Sequence, residues 1–263
     1  VAAENFYGDV AKQVGGSRVA VSSILANPDQ DPHLFEVSPS VARAVSAAKV
    51  VICNGIDYDH WMERLLAATP APARQVVVVA ALAGRKPGDN PHIWYRPETM
   101  ALLADALAAR YAALDPAHAA DYAKRFADFQ ASLAPIQARI ASMRLRLQGT
   151  QVTATEPVFG YMFEALGMVS RNQAFQRAVM NETEASASDV IAFEDDLRSH
   201  RVKLFLFNRQ ASDTVADRMK AIALTAGVPV VGATETEPAG MRYQAWISAE
   251  LDAVDRAVPP PAH

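Results

Sequence analysis

Apolar positions along this 263-residue chain follow two alternating patterns. Short runs of β-branched, aromatic and small residues recur at Val1-Ala2-Ala3, Val19–Ile24, Lys49–Cys53 and Gln75–Val79. They return at Gln151–Thr155, Val202–Phe207 and Val228–Gly232. Brief apolar runs of this kind suit strands buried within parallel sheets. Between them, apolar residues fall at three- and four-residue spacing over Pro39–Ala48, Trp61–Ala68, Pro97–Leu114 and Ser212–Ala226, which predicts amphipathic helices. Strand and helix alternating in both halves predict an α/β fold with two lobes, each a small, mainly parallel sheet flanked by helices.

The middle of the chain breaks this alternation. Tyr122, Phe126, Phe129, Leu133, Ile136, Ile140, Met143 and Leu147 keep helical spacing without a strand between them. Asp115-Pro116 offers an N-cap and a first-turn proline, and Gly149 follows the far end. Pro135 lies inside, where a proline removes one backbone hydrogen bond and predicts a kink. The resulting division is an N-terminal α/β lobe over 1–115, a linking helix over 116–148 and a C-terminal α/β lobe over 149–263.

Composition narrows the function classes. Half of the residues are hydrophobic (51%) and the formal net charge is −4, which excludes a disordered chain and gives no electrostatic footprint for nucleic acid. The longest apolar runs, about eight residues, fall far short of the roughly 20 that span a bilayer, so no transmembrane helix is expected. Nor does an exposed apolar stripe ask for a second copy, and a monomer is expected. The single cysteine, Cys53, sits inside an apolar strand run and reads as a packed side chain. The chain opens inside a predicted strand, as expected where a signal peptide or lipid-anchor cysteine lies outside the sequence.

Nucleotide-binding glycine motifs, GxSxG and HExxH are all missing. What remains is a pattern of position. Four residues with metal-ligand side chains follow predicted strands: His33 in Asp31-Pro32-His33, His92 in Asn90-Pro91-His92, Glu156 after Thr155, and Glu235 after Thr234. Ligands of open parallel sheets bind beyond the carboxyl ends of the strands, so these four positions suit a small ligand clamped by both lobes. Glu237 stands as close to a strand end as Glu235, and the pattern does not choose between them. His60, His118, His200 and His263 fall in polar or helix-start contexts and read as surface residues. Asp31, Asn90, Trp94 and Arg96 are nearest in sequence to the histidines as orienting partners, whereas Arg171 and Arg209 either pair with a ligand carboxylate or, the preferred reading, lie solvated at the rim.

These segments together resemble the cluster A-I solute-binding proteins of bacterial zinc and manganese ABC transporters. The resemblance rests on Asn5-Phe6-Tyr7, Asp31-Pro32-His33-Leu34-Phe35-Glu36, Pro39-Ser40, Asn54-Gly55 and Asn90-Pro91-His92-Ile93-Trp94. Glu156-Pro157-Val158-Phe159-Gly160-Tyr161, the stretch from Asn181 to Asp189, Glu235-Thr236 and Tyr243-Gln244-Ala245-Trp246 extend it through the second half. It implies a periplasmic, non-enzymatic receptor that holds a divalent metal ion between two lobes and delivers it to an inner-membrane ABC permease. The implied ligands are His33, His92, Glu156 and Glu235. Glu156 stands where the family has His or Glu, and Glu235 where many members have Asp. The Ala81–Asn90 loop lacks the histidines that zinc receptors of the family often carry there.

Two imidazoles and two carboxylates suit Mn²⁺ or Zn²⁺, with Fe²⁺ a third candidate. Six donor atoms, if both carboxylates bind through two oxygens, tilt the expectation toward manganese, with zinc close behind. Imidazole ligation also predicts affinity that falls below about pH 6.5, where protons compete for free imidazole. Two other readings need different features. A metal-dependent hydrolase needs an open coordination position, which four protein ligands close. A metal-free adhesin on the same scaffold would keep its adhesion after loss of His33 and His92.

Overall fold

A computed structural model describes residues 1–27, 35–210 and 214–259. The chain forms two compact units. Unit 1 comprises Val1–Pro135 and Thr236–Gln244, and unit 2 comprises Ile136–Glu235 and Ala245 onward.

Unit 1 begins with β1 (Ala2–Glu4), α1 (Asn5–Gly15), β2 (Ser23–Leu25) and α2 (Pro39–Ala47). It continues through β3 (Val50–Cys53), α3 (His60–Ala68), β4 (Gln75–Val78), the short α4 (Val79–Leu82) and α5 (Thr99–Leu114). Its strands lie in the order β2-β1-β3-β4, all parallel. The start of α2 follows local chemistry. Ser38 caps α2 by accepting the Val41 N–H at 3.4 Å, with Pro39 in the first turn where its missing donor costs nothing. Ala3, Val51 and Cys53 from the sheet pack with Val45, Met62 and Leu65 from α2 and α3. The Cys53 thiol is buried there, and burial pushes its pKa far up, so it behaves as a small apolar side chain.

The strands are shorter than the apolar runs suggest. Val19–Ser22 is not strand: pairing with β1 starts only at Ser23, which aligns with Ala2. β4 lies at the sheet edge and leaves Val76 and Val78 exposed while Val77 is buried, so it alternates where a strand covered on both faces would not.

α6 (Ala119–Leu147) is one helix of 29 residues, about 44 Å long at 1.5 Å per residue. It belongs to unit 1 as far as Pro135 and to unit 2 from Ile136. The helix runs unbroken through Pro135. Of the predicted stripe, Tyr122, Phe129, Leu133, Ile136, Ile140, Met143 and Leu147 are buried and Phe126 is half-buried. Asp115 does not cap the backbone. Its carboxylate accepts from the Tyr122 hydroxyl at 2.9 Å and from His118 Nδ1 at 2.8 Å, and a 3-10 turn over Pro116–His118 leads into the helix.

Unit 2 repeats the arrangement. Its elements are β5 (Gln151–Ala154), α7 (Gly160–Ala165), β6 (Val169–Ser170), α8 (Gln173–Met180) and α9 (Ala187–Arg198). Then come β7 (Phe205–Asn208), α10 (Thr214–Ala226), β8 (Val230–Ala233) and α11 (Tyr243–Ala257), whose first two residues belong to unit 1. The parallel order is β6-β5-β7-β8, the same as in unit 1 despite the lack of a visible sequence repeat. β6, only two residues long, gives no periodic signal in the sequence. The core stacks Phe175 on Phe193 and Phe193 on Phe205 edge to face, with Leu197, Met219 and Val228 around them. Arg139 pairs with Asp252 and Arg146 with Asp255, which fastens α11 to the second half of α6.

After β3 the backbone turns sharply, with positive φ at Gly55 (78°), Ile56 (46°) and Asp57 (67°). The left-handed conformation is costly for a β-branched residue such as Ile56. Asp59, 0% exposed, holds the turn by accepting the N–H groups of Asn54 (2.7 Å) and Gly55 (2.8 Å). Glycine at 55 is required by its φ and by space, since a Cβ there would sit 2.6 Å from Val78 Cγ1. Gly55→Ala is expected to destabilise the protein by about 2 kcal/mol, from left-handed strain and overpacking. Denaturant unfolding checks this, and a cost near zero would mean that the turn relaxes freely.

Candidate functional site

The point where the strand order reverses, between β1 and β3 in unit 1 and between β5 and β7 in unit 2, is where open parallel sheets place ligands. An asparagine stands at the carboxyl end of the corresponding strand in each unit: Asn54 after β3 and Asn208 at the end of β7. Both are buried.

In unit 1, Asn54 is a hub. Its Oδ1 accepts the Tyr7 hydroxyl at 2.5 Å, and its amide donates to the carbonyls of Gly55 and Pro91, each at 3.0 Å. The last bond pins the loop immediately before His92. That imidazole is fully buried, with Nδ1 2.7 Å from Asn90 Oδ1. The asparagine oxygen can only accept, so Nδ1 donates this hydrogen bond, as the second ring nitrogen of a metal-ligating imidazole does. Trp94 flanks the ring at 5.2 Å between centroids and Tyr58 at 6.2 Å. Burial, reinforced by the Asp59 carboxylate, raises the pKa of nearby Glu4 well above the ordinary carboxyl value.

In unit 2, two carboxylates converge. Glu156 follows β5 and is 3% exposed; Glu235 follows β8 and is 0% exposed. An oxygen of one lies within 4.8 Å of an oxygen of the other. The Asn208 amide donates to Oε1 of both. Asn208 is itself fixed, since its N–H donates to Thr155 Oγ1 at 3.2 Å and its Oδ1 accepts the Gln210 N–H at 2.9 Å. Gln210 Oε1 in turn accepts the Glu235 N–H at 2.7 Å.

Glu235 and Glu237 thus separate. Glu237 belongs to unit 1, where its N–H donates to Asn5 Oδ1 at 3.0 Å and its carbonyl accepts from Asn5 Nδ2 at 2.7 Å. Burial, aided by Asp9, pushes the Glu237 carboxyl up to about 8. His33 and Asp31 lie outside the described residues, as does His263. Arg171 turns to Asp196 at 2.7 Å rather than to either candidate carboxylate, and the Arg209 side chain lies across Gly232. His118 pairs with Asp115, and His60 stands 3.8 Å from Asp57 near the surface. Sequence reading missed Asn208 and the hub role of Asn54. Their position at the same strand end of each sheet is a signal that becomes visible only once the strand order is known.

Among the described residues no helix is long and apolar enough to cross a membrane. The chain is 23% identical to the metal ABC transporter substrate-binding lipoprotein SloC of Streptococcus mutans, over 93% of this chain and 83% of that one. It is 24% identical to the manganese ABC transporter substrate-binding lipoprotein PsaA of Streptococcus pneumoniae, over 88% and 77% of the two chains. Among solved structures, the periplasmic zinc-binding protein TroA of Treponema pallidum superposes with a TM-score of 0.78 at 17% identity, over 97% of both chains. The fold is therefore that of the periplasmic metal-binding proteins, with two four-stranded parallel sheets and a long helix running from one unit into the other. The sequence profile described as "zinc-uptake complex component A, periplasmic" matches residues 1–257, and the chain belongs to that family of metal ABC transporter substrate-binding proteins.

Proposed function

We propose that this protein captures a divalent transition metal ion, Zn²⁺ or Mn²⁺ with Fe²⁺ as a third candidate, through His33, His92, Glu156 and Glu235. It then delivers the ion, as a periplasmic monomer, to an inner-membrane ABC permease. The observation that carries this reading is the buried pair Glu156 and Glu235 gathered on one amide at the strand ends of unit 2. Two carboxylates in a low-dielectric site repel each other, and a divalent cation is the ligand that compensates both charges. The contact of His92 Nδ1 with Asn90 Oδ1 supports it, because metal-ligating imidazoles donate their other ring N–H in this way. The four-ligand set gives capture and release rather than turnover, since it leaves no protein-assigned open position for an activated water.

Calorimetric titration of the metal-stripped protein with Zn²⁺ and Mn²⁺ tests this. One-to-one binding is expected, lost in His92→Ala and in Glu156→Ala. If neither metal binds the unsubstituted protein, the metal-capture reading falls.

A further inference from the structure

The six-donor coordination that favours manganese requires each carboxylate to give both oxygens. The surroundings of Glu156 and Glu235 oppose that. Each has its Oε1 engaged by the same NH₂ group, that of Asn208. The amide cannot turn away: Asn208 is 2% exposed, its Oδ1 is committed to the Gln210 N–H, and its own N–H to Thr155 Oγ1. An amide nitrogen offers two hydrogens and no lone pair, so it neither binds a cation nor exchanges a proton with the carboxylates.

We infer that Asn208 is a specificity-determining positioning residue, which limits Glu156 and Glu235 to one oxygen each toward the cargo ion. Two carboxylate oxygens in place of four then face the ion, which suits the low donor number of zinc and leaves manganese short of its usual oxygen-rich shell. This rests on the metal-capture reading above and adds to it the residue that sets cargo preference. It also opposes the tilt toward manganese that the side-chain types alone suggest. Releasing the two Oε1 atoms should bring the two metals closer in affinity.

The test compares Zn²⁺ and Mn²⁺ dissociation constants of the metal-stripped full chain for the unsubstituted protein, Asn208→Leu and Asn208→Ser. Leucine keeps the volume and removes both donors; serine keeps one. The unsubstituted protein is expected to prefer zinc. In Asn208→Leu the ratio of the manganese to the zinc dissociation constant should shrink at least 10-fold, with serine between. X-ray absorption of bound zinc should show four nitrogen and oxygen neighbours in the unsubstituted protein and a larger or longer shell in the leucine variant. Should leucine unfold the metal-free protein, the serine variant and the absorption spectra carry the comparison. Equal losses for both metals, leaving the ratio within twofold, would reduce Asn208 to a merely structural role and overturn the inference. Failure of the unsubstituted protein to bind either metal would instead overturn the metal-capture reading itself.

Discussion

Trp94→Ala should cost the protein about 3–5 kcal/mol of stability, the range for deleting a large buried aromatic side chain. Trp94 is 0% exposed and its ring lies 4.8 Å from Phe6 and 4.9 Å from Tyr58 between centroids. Phe6 comes from α1 and Tyr58 from the turn after β3, so the indole joins the segments around the unit 1 sheet. The backbone carbonyl of Trp94 accepts the Tyr243 hydroxyl at 2.8 Å, a bond that survives truncation. What is lost is packing, including the face against the His92 imidazole. Under the proposed ligand set the same variant should weaken metal binding by about 10-fold or more, as loss of a ligand's supporting contacts usually does. Urea unfolding and metal titration measure the two effects. A stability loss below about 1 kcal/mol would show that the surrounding rings close the cavity.

The second large effect concerns pH. Glu250 in α11 is buried, and burial, only partly offset by the Trp246 indole N–H and by Arg209, raises its carboxyl to about 7. Glu4, fully buried, is raised well above 4.5 by burial and by Asp59, and Asp59 is raised by its own burial. A carboxyl whose folded pKa is raised binds its proton more tightly in the folded state. Its contribution is complete below the unfolded value and declines as pH rises toward the folded one. For Glu250 the window runs from about 4.5 to about 7, and the full decline amounts to about 3 kcal/mol. Asp196 does not offset it: the Arg171 and Arg201 side chains overcome burial and lower its pKa, so its contribution changes only in acid, below the ordinary Asp value of 3.8. The metal-free protein should thus lose stability between pH 5 and pH 8, and Glu250→Gln should remove up to about 3 kcal/mol of that loss. Parallel slopes for Glu250→Gln and the unsubstituted protein would place this group's titration outside the window.

The hydrophobic pattern along the chain was enough for the class of fold. Runs such as Val50–Cys53 and Phe205–Phe207 became parallel strands, and the stripe from Tyr122 to Leu147 became the buried face of α6, because periodicity records burial directly. The same reasoning placed Glu156 and Glu235 at strand ends, where the chain leaves the sheet. It overextended the strand at Val19, where apolar residues continue beyond the first residue that pairs, and it passed over β6, too short to show a period.

Hydrogen-bond partnership was not legible in this way. Asn208 meets Glu156 across 52 positions and Glu235 across 27, and Asn54 reaches Pro91 across 37. No local pattern encodes such distances. Asn208 by itself looks like any polar residue closing a strand, and Glu235 and Glu237 look alike two positions apart. Sequence alone therefore determined the two-lobed α/β fold, the family and the side-chain types available for a metal ion. Tertiary structure decided which carboxylates share an amide and which side chains fix His92 and Asn208, because strand order, rather than strand composition, brings these groups within hydrogen-bonding reach.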